Sequence, residues 1–147
     1  MQISRFTDLG LKVLMYLSWH SEPSTTIANI AQDLQVSKNH LVKVVHFMAQ
    51  QNWLVTMRGK HGGITLAKLP QEYVLGELIR VLEQKYHQQA LPADTHGQQT
   101  AVLPSLHHLP EMFEQSLESF YQHLNQYNLQ DLMSLRHQNH STLSQAG

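Results

Sequence analysis

Apolar residues recur at helical spacing between residues 36 and 48 and leave polar and cationic residues on the other faces. The apolar positions are Leu41, Val44, Val45 and Met48. Ser37 is typical of a helix N-cap, because its hydroxyl can accept a bond from the free amides of the first turn. Val36 can pack against Leu41 as a hydrophobic staple. The pattern predicts an amphipathic helix that starts after Ser37.

A second short apolar stripe precedes this helix. It consists of Ile27, Ile30, Ala31 and Leu34. The loop before it, residues 21–26, ends in threonines that can cap a helix starting near Ile27. Only Gln35 and Val36 separate the two predicted helices, and two helices joined by so tight a turn are typical of a helix-turn-helix motif. In that motif the second helix enters the DNA major groove, and its first residues contact base edges.

A β-hairpin is predicted directly after the second helix. Trp53 to Thr56 is a β-prone run, Gly59 to Gly63 forms a turn, and Ile64 to Leu66 returns as a second strand. The turn carries Arg58, Lys60 and His61 among glycines, which let the backbone approach a phosphate closely. Because it follows a helix-turn-helix, we interpret this hairpin as a DNA-binding wing.

Two further helices flank this region. Between Phe6 and Trp19 apolar residues cover nearly the whole circumference, so this helix needs two packing partners, the helix-turn-helix and, as one option, a second subunit. From Pro110 to Tyr127 apolar and aromatic residues repeat at helical spacing, and a short final helix follows. We expect this stripe to be buried against a second copy of the chain, whereas an intramolecular bundle would predict a monomer. The expected interface residues are Phe113, Leu117, Phe120, Tyr121 and Leu124.

Charge is distributed unevenly along the 147 residues, although the net charge is only −1. Residues 1–68 hold seven of the ten Lys and Arg but three of the eleven acidic residues, a balance of +4, and the remainder balances at −5. A basic N-terminal half suggests a polyanionic partner, although ordinary solvated faces would give a similar pattern. No apolar run is long enough for a membrane span and the N-terminus lacks a signal-peptide layout, so we expect a cytoplasmic protein. No catalytic motif is present, and we do not expect an enzyme.

Four segments in this order carry a family resemblance: Phe6–Gly10, Val36–Lys43, Arg58–Leu66 and Gly76–Glu83. They resemble the winged-helix repressors typified by IscR and NsrR, and most of all the NsrR type. The resemblance is close over residues 1–83 and looser to about residue 135. It implies a dimeric bacterial transcription factor that grips DNA with its recognition helix and wing. It also implies that the first helix joins the dimer core and that a long C-terminal helix crosses the partner.

The resemblance also places a sensing region at residues 84–109, where three cysteines of the family usually hold an iron–sulfur cluster near the first helix of the other subunit. The chain has no cysteine, so this chemistry cannot be carried over. Asp8 matches a non-cysteine ligand of some NsrR-type proteins. Imidazoles in the same region offer an alternative metal or haem site, against the simpler interpretation of a surface loop. The candidate ligands are Asp8, His87, His96, His107 and His108.

The sequence therefore predicts a mainly α protein, a winged helix-turn-helix with a β-hairpin wing and a long C-terminal dimerisation helix. We expect a DNA-binding domain at residues 1–83, a loop at 84–109, a dimerisation helix and short terminal helix at 110–136, and a mobile tail at 137–147. The expected partners are double-stranded DNA and a second copy, with no cofactor unless the histidine-bearing loop binds a metal or haem. A protein-interaction module without DNA binding is the rival from another class. The expected DNA contacts are Arg5, Lys38, Asn39, His40, Lys43, Arg58, Lys60 and His61.

Overall fold

The computed structural model describes residues 3–20, 25–57, 59, 62–90 and 108–134, with the side chains of residues 89 and 90 excepted. Within these ranges the elements are α1 (Arg5–Trp19), α2 (Ile27–Asp33), α3 (Lys38–Gln50), β1 (Leu54–Thr56), β2 (Ile64–Leu66), a 3-10 turn (Pro70–Glu72), α4 (Leu75–Ala90) and α5 (Leu109–Leu124). Residues 129–134 are again helical. The strands form an antiparallel hairpin in which Leu54 pairs with Leu66 and Thr56 with Ile64. The predicted helix-turn-helix and hairpin are therefore both present.

The predicted capping hydrogen bond is present at the start of α2 but not at the start of α3. Thr26 caps α2 by accepting a bond from the amide of Asn29, whose side chain bonds back to the Thr26 amide. Ser37 occupies the N-cap position of α3, but its side chain makes no capping hydrogen bond, so the prediction for its hydroxyl was wrong. The turn before α3 is instead held by a backbone hydrogen bond to the end of α2. Gln35 adopts a left-handed φ of 53°, and the amide of Val36 donates to Ala31 O at 3.0 Å.

The core lies where α1, α2, α3 and the hairpin meet. Its fully buried side chains include Val13, Leu14, Ile30, Leu41 and Met48. Tyr16 in α1 also donates a hydrogen bond to Asp33 of α2 at 2.5 Å, which ties the two helices together at the edge of this core. The predicted apolar face of α3 is confirmed, because Leu41, Val44, Val45 and Met48 are all buried.

The second packing partner of α1 is α4 of the same chain, although we had considered another subunit for this role. Gly10 faces the Leu82 side chain, whose methyl carbons would lie 3.0 and 3.1 Å from an added Cβ. The amide of Ser4, at the start of α1, donates to the Glu83 carboxylate at 2.9 Å. Intramolecular packing therefore satisfies much of the apolar circumference of α1, for which a second subunit was one option.

The C-terminal segment is attached to the start of α4 by backbone pairing. Val74 and Asn128 form a β-bridge, with Leu75 N donating to Tyr127 O at 2.9 Å and Leu129 N donating to Tyr73 O at 3.0 Å. Tyr127 thus lies in a loop after α5, whereas the sequence stripe had placed it in the helix. Leu129 is fully buried in the core, which agrees with a short final helix packed on the domain.

Tyr121 lies against α4 and not on the outer face of α5, so its assignment to the dimer interface was wrong. It is 7% exposed, and the Arg80 guanidinium lies 4.6 Å from its ring centroid. Arg80 also binds Glu118 at 2.7 Å, and this hydrogen bond holds the pKa of Glu118 below its ordinary value. Because successive helix residues point about 100° apart, the aromatic stripe of α5 covers two faces, and Tyr121 belongs to the inner one.

The expected domain boundaries need one correction. Residues 84–90 continue α4 and do not begin a loop, because the Gln-rich composition of this segment is compatible with a helix. The rest of the predicted sensing loop, residues 91–107, and the predicted mobile tail lie outside the described residues. None of the helices that the structure describes combines the length and apolar character needed to cross a bilayer.

Gly76 of α4 lies directly against the end of α5, and we expect Gly76→Ala to destabilise the fold. An added Cβ would overlap the Tyr121 carbonyl oxygen and the Asn125 side-chain amide. A backbone carbonyl cannot move away without shifting α5, so we expect the free energy of unfolding to fall by about 1–3 kcal/mol. Urea unfolding followed by circular dichroism measures this change.

Gly10→Ala is the matched control, because Gly10 also lies in a helix that packs against another helix. Its neighbour is the flexible end of the Leu82 side chain. Alanine gains up to about 1 kcal/mol of helix propensity over glycine, which offsets the tighter contact. Equal destabilisation by the two substitutions would contradict the close approach at Gly76.

Candidate nucleic-acid interface

The outer face of α3 presents every polar side chain that the sequence predicted for DNA recognition by this helix. Lys38, Asn39, His40 and Lys43 are exposed, as is His46 one turn further along. Lys38, Asn39 and His40 form the first turn of the helix, where a recognition helix contacts base edges. Burial of the opposite face fixes this orientation, since rotation of α3 would expose its apolar stripe.

Arg5 lies beside the recognition helix, although 33 or more residues separate them in sequence. Arg5 opens α1, and it lines one cavity together with His40 and Lys43 of α3. Ser4 fixes the start of α1, because its hydroxyl accepts a bond from the amide of Thr7 at 3.1 Å. The structure thus brings Arg5 to the same surface as the predicted helix contacts.

The hairpin beyond α3 is closed by hydrogen bonds beside its turn and within it. Met57 N donates to Gly63 O at 2.9 Å, and Gly62 N donates to Gly59 O at 2.9 Å. Gly59 has a φ of 109°, a conformation that a side chain would strain. Ile64 N donates to Thr25 O at 2.7 Å and so joins the wing to the segment before α2. The predicted wing contacts Arg58, Lys60 and His61 lie outside the described residues.

Tyr73 fastens the wing to α4, and sequence reasoning did not identify it. Its hydroxyl donates to Trp53 O at 2.7 Å and accepts from the amides of Ala67 and Lys68 at 3.0 Å each. The ring is buried, and burial raises the pKa of the Tyr73 hydroxyl, which keeps it protonated as a donor. A lone tyrosine between a turn and a helix carries no periodic signal in the sequence.

Glu83 was also missed as a structural residue, although the sequence held a clue. It follows the buried Leu82 and comes four positions after the buried Ile79, so it lies near the apolar face of α4. A partly buried carboxylate requires a hydrogen-bond donor. The amide of Ser4 supplies one, and Glu83 thereby holds the start of α1, from which Arg5 projects.

The predicted metal ligands do not converge in the described part of the chain. Asp8 binds Lys12 Nζ at 2.7 Å. His87 lies 4.0 Å from the Glu83 carboxylate, and His108 lies 3.9 Å from the Glu111 carboxylate. Across the described ranges, no three His, Asp or Glu side chains are grouped as metal ligands. The remaining candidates, His96 and His107, lie outside the described residues.

Known proteins are similar in sequence to this chain over nearly its whole length. The Rrf2 family, described as an iron-dependent transcriptional regulator, matches residues 3–135. The chain is 34% identical to the HTH-type transcriptional regulator NsrR of Geobacillus kaustophilus over 137 residues, which cover 92% of each protein. It is also 34% identical over 134 residues to the NsrR of Oceanobacillus iheyensis, covering 90% of each. The named relatives are regulators and not enzymes, in agreement with the sequence prediction.

Solved structures show the same fold. CymR of B. subtilis, titled a global cysteine regulator, is 25% identical, with a TM-score of 0.66 over 92% of this chain and 98% of that one. IscR of T. potens is 21% identical, with a TM-score of 0.67 over 91% of this chain and 87% of that one. The predicted winged-helix fold and the resemblance to IscR- and NsrR-type proteins are therefore confirmed.

Proposed function

The chain belongs to the Rrf2 family of transcriptional regulators, and from this premise we propose that it is a repressor that binds a pseudo-palindromic promoter site as a homodimer. The observation that carries the proposal is the exposed first turn of α3, in which every side chain can donate or accept hydrogen bonds. Because the partner is chromosomal DNA, we also infer a cytoplasmic location. A protein-interaction module would instead call for a neutral recognition surface, and α3 exposes both of its lysines.

The contacts divide into base readers and phosphate anchors. Asn39 can donate to and accept from one adenine edge, and Lys38 and His40 stand beside it in the groove. Lys43 lies further along α3, and Arg5 comes from α1. These positions suit contacts to the DNA backbone on either side of the groove. In this arrangement the wing residues Arg58, Lys60 and His61 contact the adjoining phosphates or minor groove.

The outer face of α5 supports a homodimer. Leu109, Met112, Phe113 and Leu117 are 44%, 60%, 68% and 40% exposed, and they follow one another at helical spacing. Phe120 and Leu124 continue the stripe and are half-buried. A contiguous apolar stripe of this kind is costly in water and favours association. A second copy buries it symmetrically and sets two recognition helices on a palindromic site.

The residues of this chain do not fit a cysteine-ligated iron–sulfur cluster, although the family is described as iron-dependent. Clusters are held by thiolates, with histidine replacing some of them in certain centres, and the chain has no cysteine. Asp8 is already paired with Lys12. We therefore propose that the regulator acts without such a cluster. No observation on the described residues favours the alternative of a metal- or haem-responsive loop.

The proposal predicts salt-sensitive, sequence-selective duplex binding by a dimer. Two half-sites about one helical turn apart, on the order of 34–36 Å, should be protected. Gel-shift titration of genomic fragments at several salt concentrations measures both properties. A protein that retains no fragment more tightly than random DNA would contradict the repressor function.

Asn39→Ala and Lys43→Ala separate the two kinds of contact within this prediction. Asn39→Ala should relax the preference at one base pair in each half-site and cost roughly 1–3 kcal/mol there. Lys43→Ala should weaken binding to all sequences and reduce the salt slope by about one. The same response to both substitutions would show that the division into readers and anchors is wrong.

Leu117→Asp should convert the dimer to a folded monomer. The side chain is 40% exposed in the single chain, so a carboxylate is tolerated there, whereas a dimer interface would bury it without a partner. Sedimentation measures the mass and circular dichroism the folding. Gln115→Asp is the matched control, because it adds the same charge to an exposed position of α5 outside the apolar stripe. A wild-type monomer at micromolar concentration would refute the interface.

The absence of thiolates predicts that the purified protein binds DNA without bound iron and acid-labile sulfide. Anaerobic purification from the native host, followed by metal and sulfide analysis, provides the measurement. Its DNA affinity should not change on exposure to nitric oxide, since no cluster is available for attack. Stoichiometric iron together with sulfide would overturn this part of the proposal.

A further inference from the structure

A cavity of about 580 Å³ separates the start of α1 from the start of α3 and reaches the outer part of α4. Sites for small molecules commonly enclose about 300–1,000 Å³ and combine apolar walls with a few polar groups. The apolar or aromatic walls come from three helices and from the turn before α3. They comprise Phe6, Leu9, Val36, Val44 and Tyr86. The cavity therefore has the size and the apolar lining of a ligand site.

The charged groups of the cavity are unbalanced. Arg5, Lys12 and Lys43 line it together with one carboxylate, that of Asp8, and give a net charge of +2 with His40 neutral. Asp8 is paired with Lys12 at 2.7 Å. Arg5 and Lys43 form no ion pair with any residue that the structure describes. An anionic group that enters the cavity would meet two cations without competition from a protein carboxylate.

We propose that this cavity binds a small organic anion, a carboxylate or phosphate group attached to an apolar or aromatic body. The anionic group would lie between Arg5 and Lys43, and the apolar body would pack against Phe6 and Tyr86. An inorganic anion would interact only with Arg5 and Lys43, and a neutral aromatic molecule would contact only the apolar walls. A molecule that combines both features gains from both sets of contacts.

The cavity shares residues with the proposed DNA-binding surface, so we expect its ligand and DNA to weaken each other's binding. This step rests on the proposed DNA-binding function. Lys43 and His40 belong to α3, and Arg5 lies beside them. A bound anion neutralises two cations that would otherwise contact phosphates, and it occupies the space next to the recognition helix. By linkage, DNA then weakens ligand binding by the same factor by which the ligand weakens DNA binding.

Isothermal titration of the full chain at constant ionic strength tests the site without DNA. The probes are phenyl phosphate and benzoate, compared with inorganic phosphate and benzyl alcohol. We expect at least one of the first two to bind about tenfold more tightly than either comparison compound, a factor that corresponds to about 1.4 kcal/mol. Equal binding of inorganic phosphate would reveal a nonspecific anion patch, and no binding of any probe would reveal no site. Either result overturns the proposal.

Tyr86→Ala locates the binding in the cavity. Tyr86 lies on α4, outside the predicted DNA contacts, and its loss should weaken the aromatic probe about tenfold. Tyr127→Ala is the matched control. Both tyrosines are similarly exposed, at 40% and 43%, and each ring lies 5.8 Å from a neighbouring histidine ring. Equal loss in both variants, or no loss in Tyr86→Ala, would place the probe elsewhere and overturn the site.

A gel-shift titration with saturating probe tests the opposition to DNA. We expect the probe to lower DNA affinity several-fold in the wild type and to have less effect on Tyr86→Ala. Tight probe binding with unchanged DNA affinity would overturn the opposition. A protein that binds the probe but no DNA under any condition would instead refute the proposed function. The calorimetric result would still show whether the cavity binds the anion.

Discussion

Burial of α1 on two sides is the constraint on which the rest of the structure depends. One side packs on the helix-turn-helix and the other on α4, where Gly10 permits close contact with Leu82. This helix therefore connects α3 to the C-terminal half, and it also places Arg5 at the surface that we propose to face DNA. The hydrogen bond from Ser4 to Glu83 fixes its first turn relative to α4. Without two-sided burial, neither the cavity nor the position of Arg5 would be defined.

Periodicity and turn residues were sufficient to predict the elements from α1 to β2. The stripes of α2 and α3, the threonine cap and the hairpin all depend on contacts between residues close in sequence, and such contacts leave regular patterns. The cap at Ser37 failed for the opposite reason. A side-chain rotamer at a helix start depends on its surroundings, which here include the left-handed turn at Gln35 and the packing of Val36 against the core.

Long-range contacts explain what the sequence could not predict. Tyr121 belongs to an apolar stripe, but only the position of α4 decides that it faces Arg80 and not a second chain. The Tyr73 hydroxyl binds three backbone groups, one before the hairpin and two after it, and no spacing rule connects them. The cavity likewise combines residues of α1, α3 and α4, none of which has an unusual sequence context. For the predicted DNA contacts, the sequence did identify the exposed face of α3, because its opposite face is so regular.

Residues 73–75 hold two parts of the molecule at once. The Tyr73 side chain binds the base of the wing, while the backbone of Tyr73 and Leu75 pairs with the segment that follows α5. Three consecutive residues thus fix the distance between the wing and the outer face of α5. In a dimer built on α5, residues 73–75 would therefore set the spacing between the two wings, and with it the operator length that the dimer can bind. Operators with an inserted or deleted central base pair would then have to bend or twist, because the protein has little freedom to adjust.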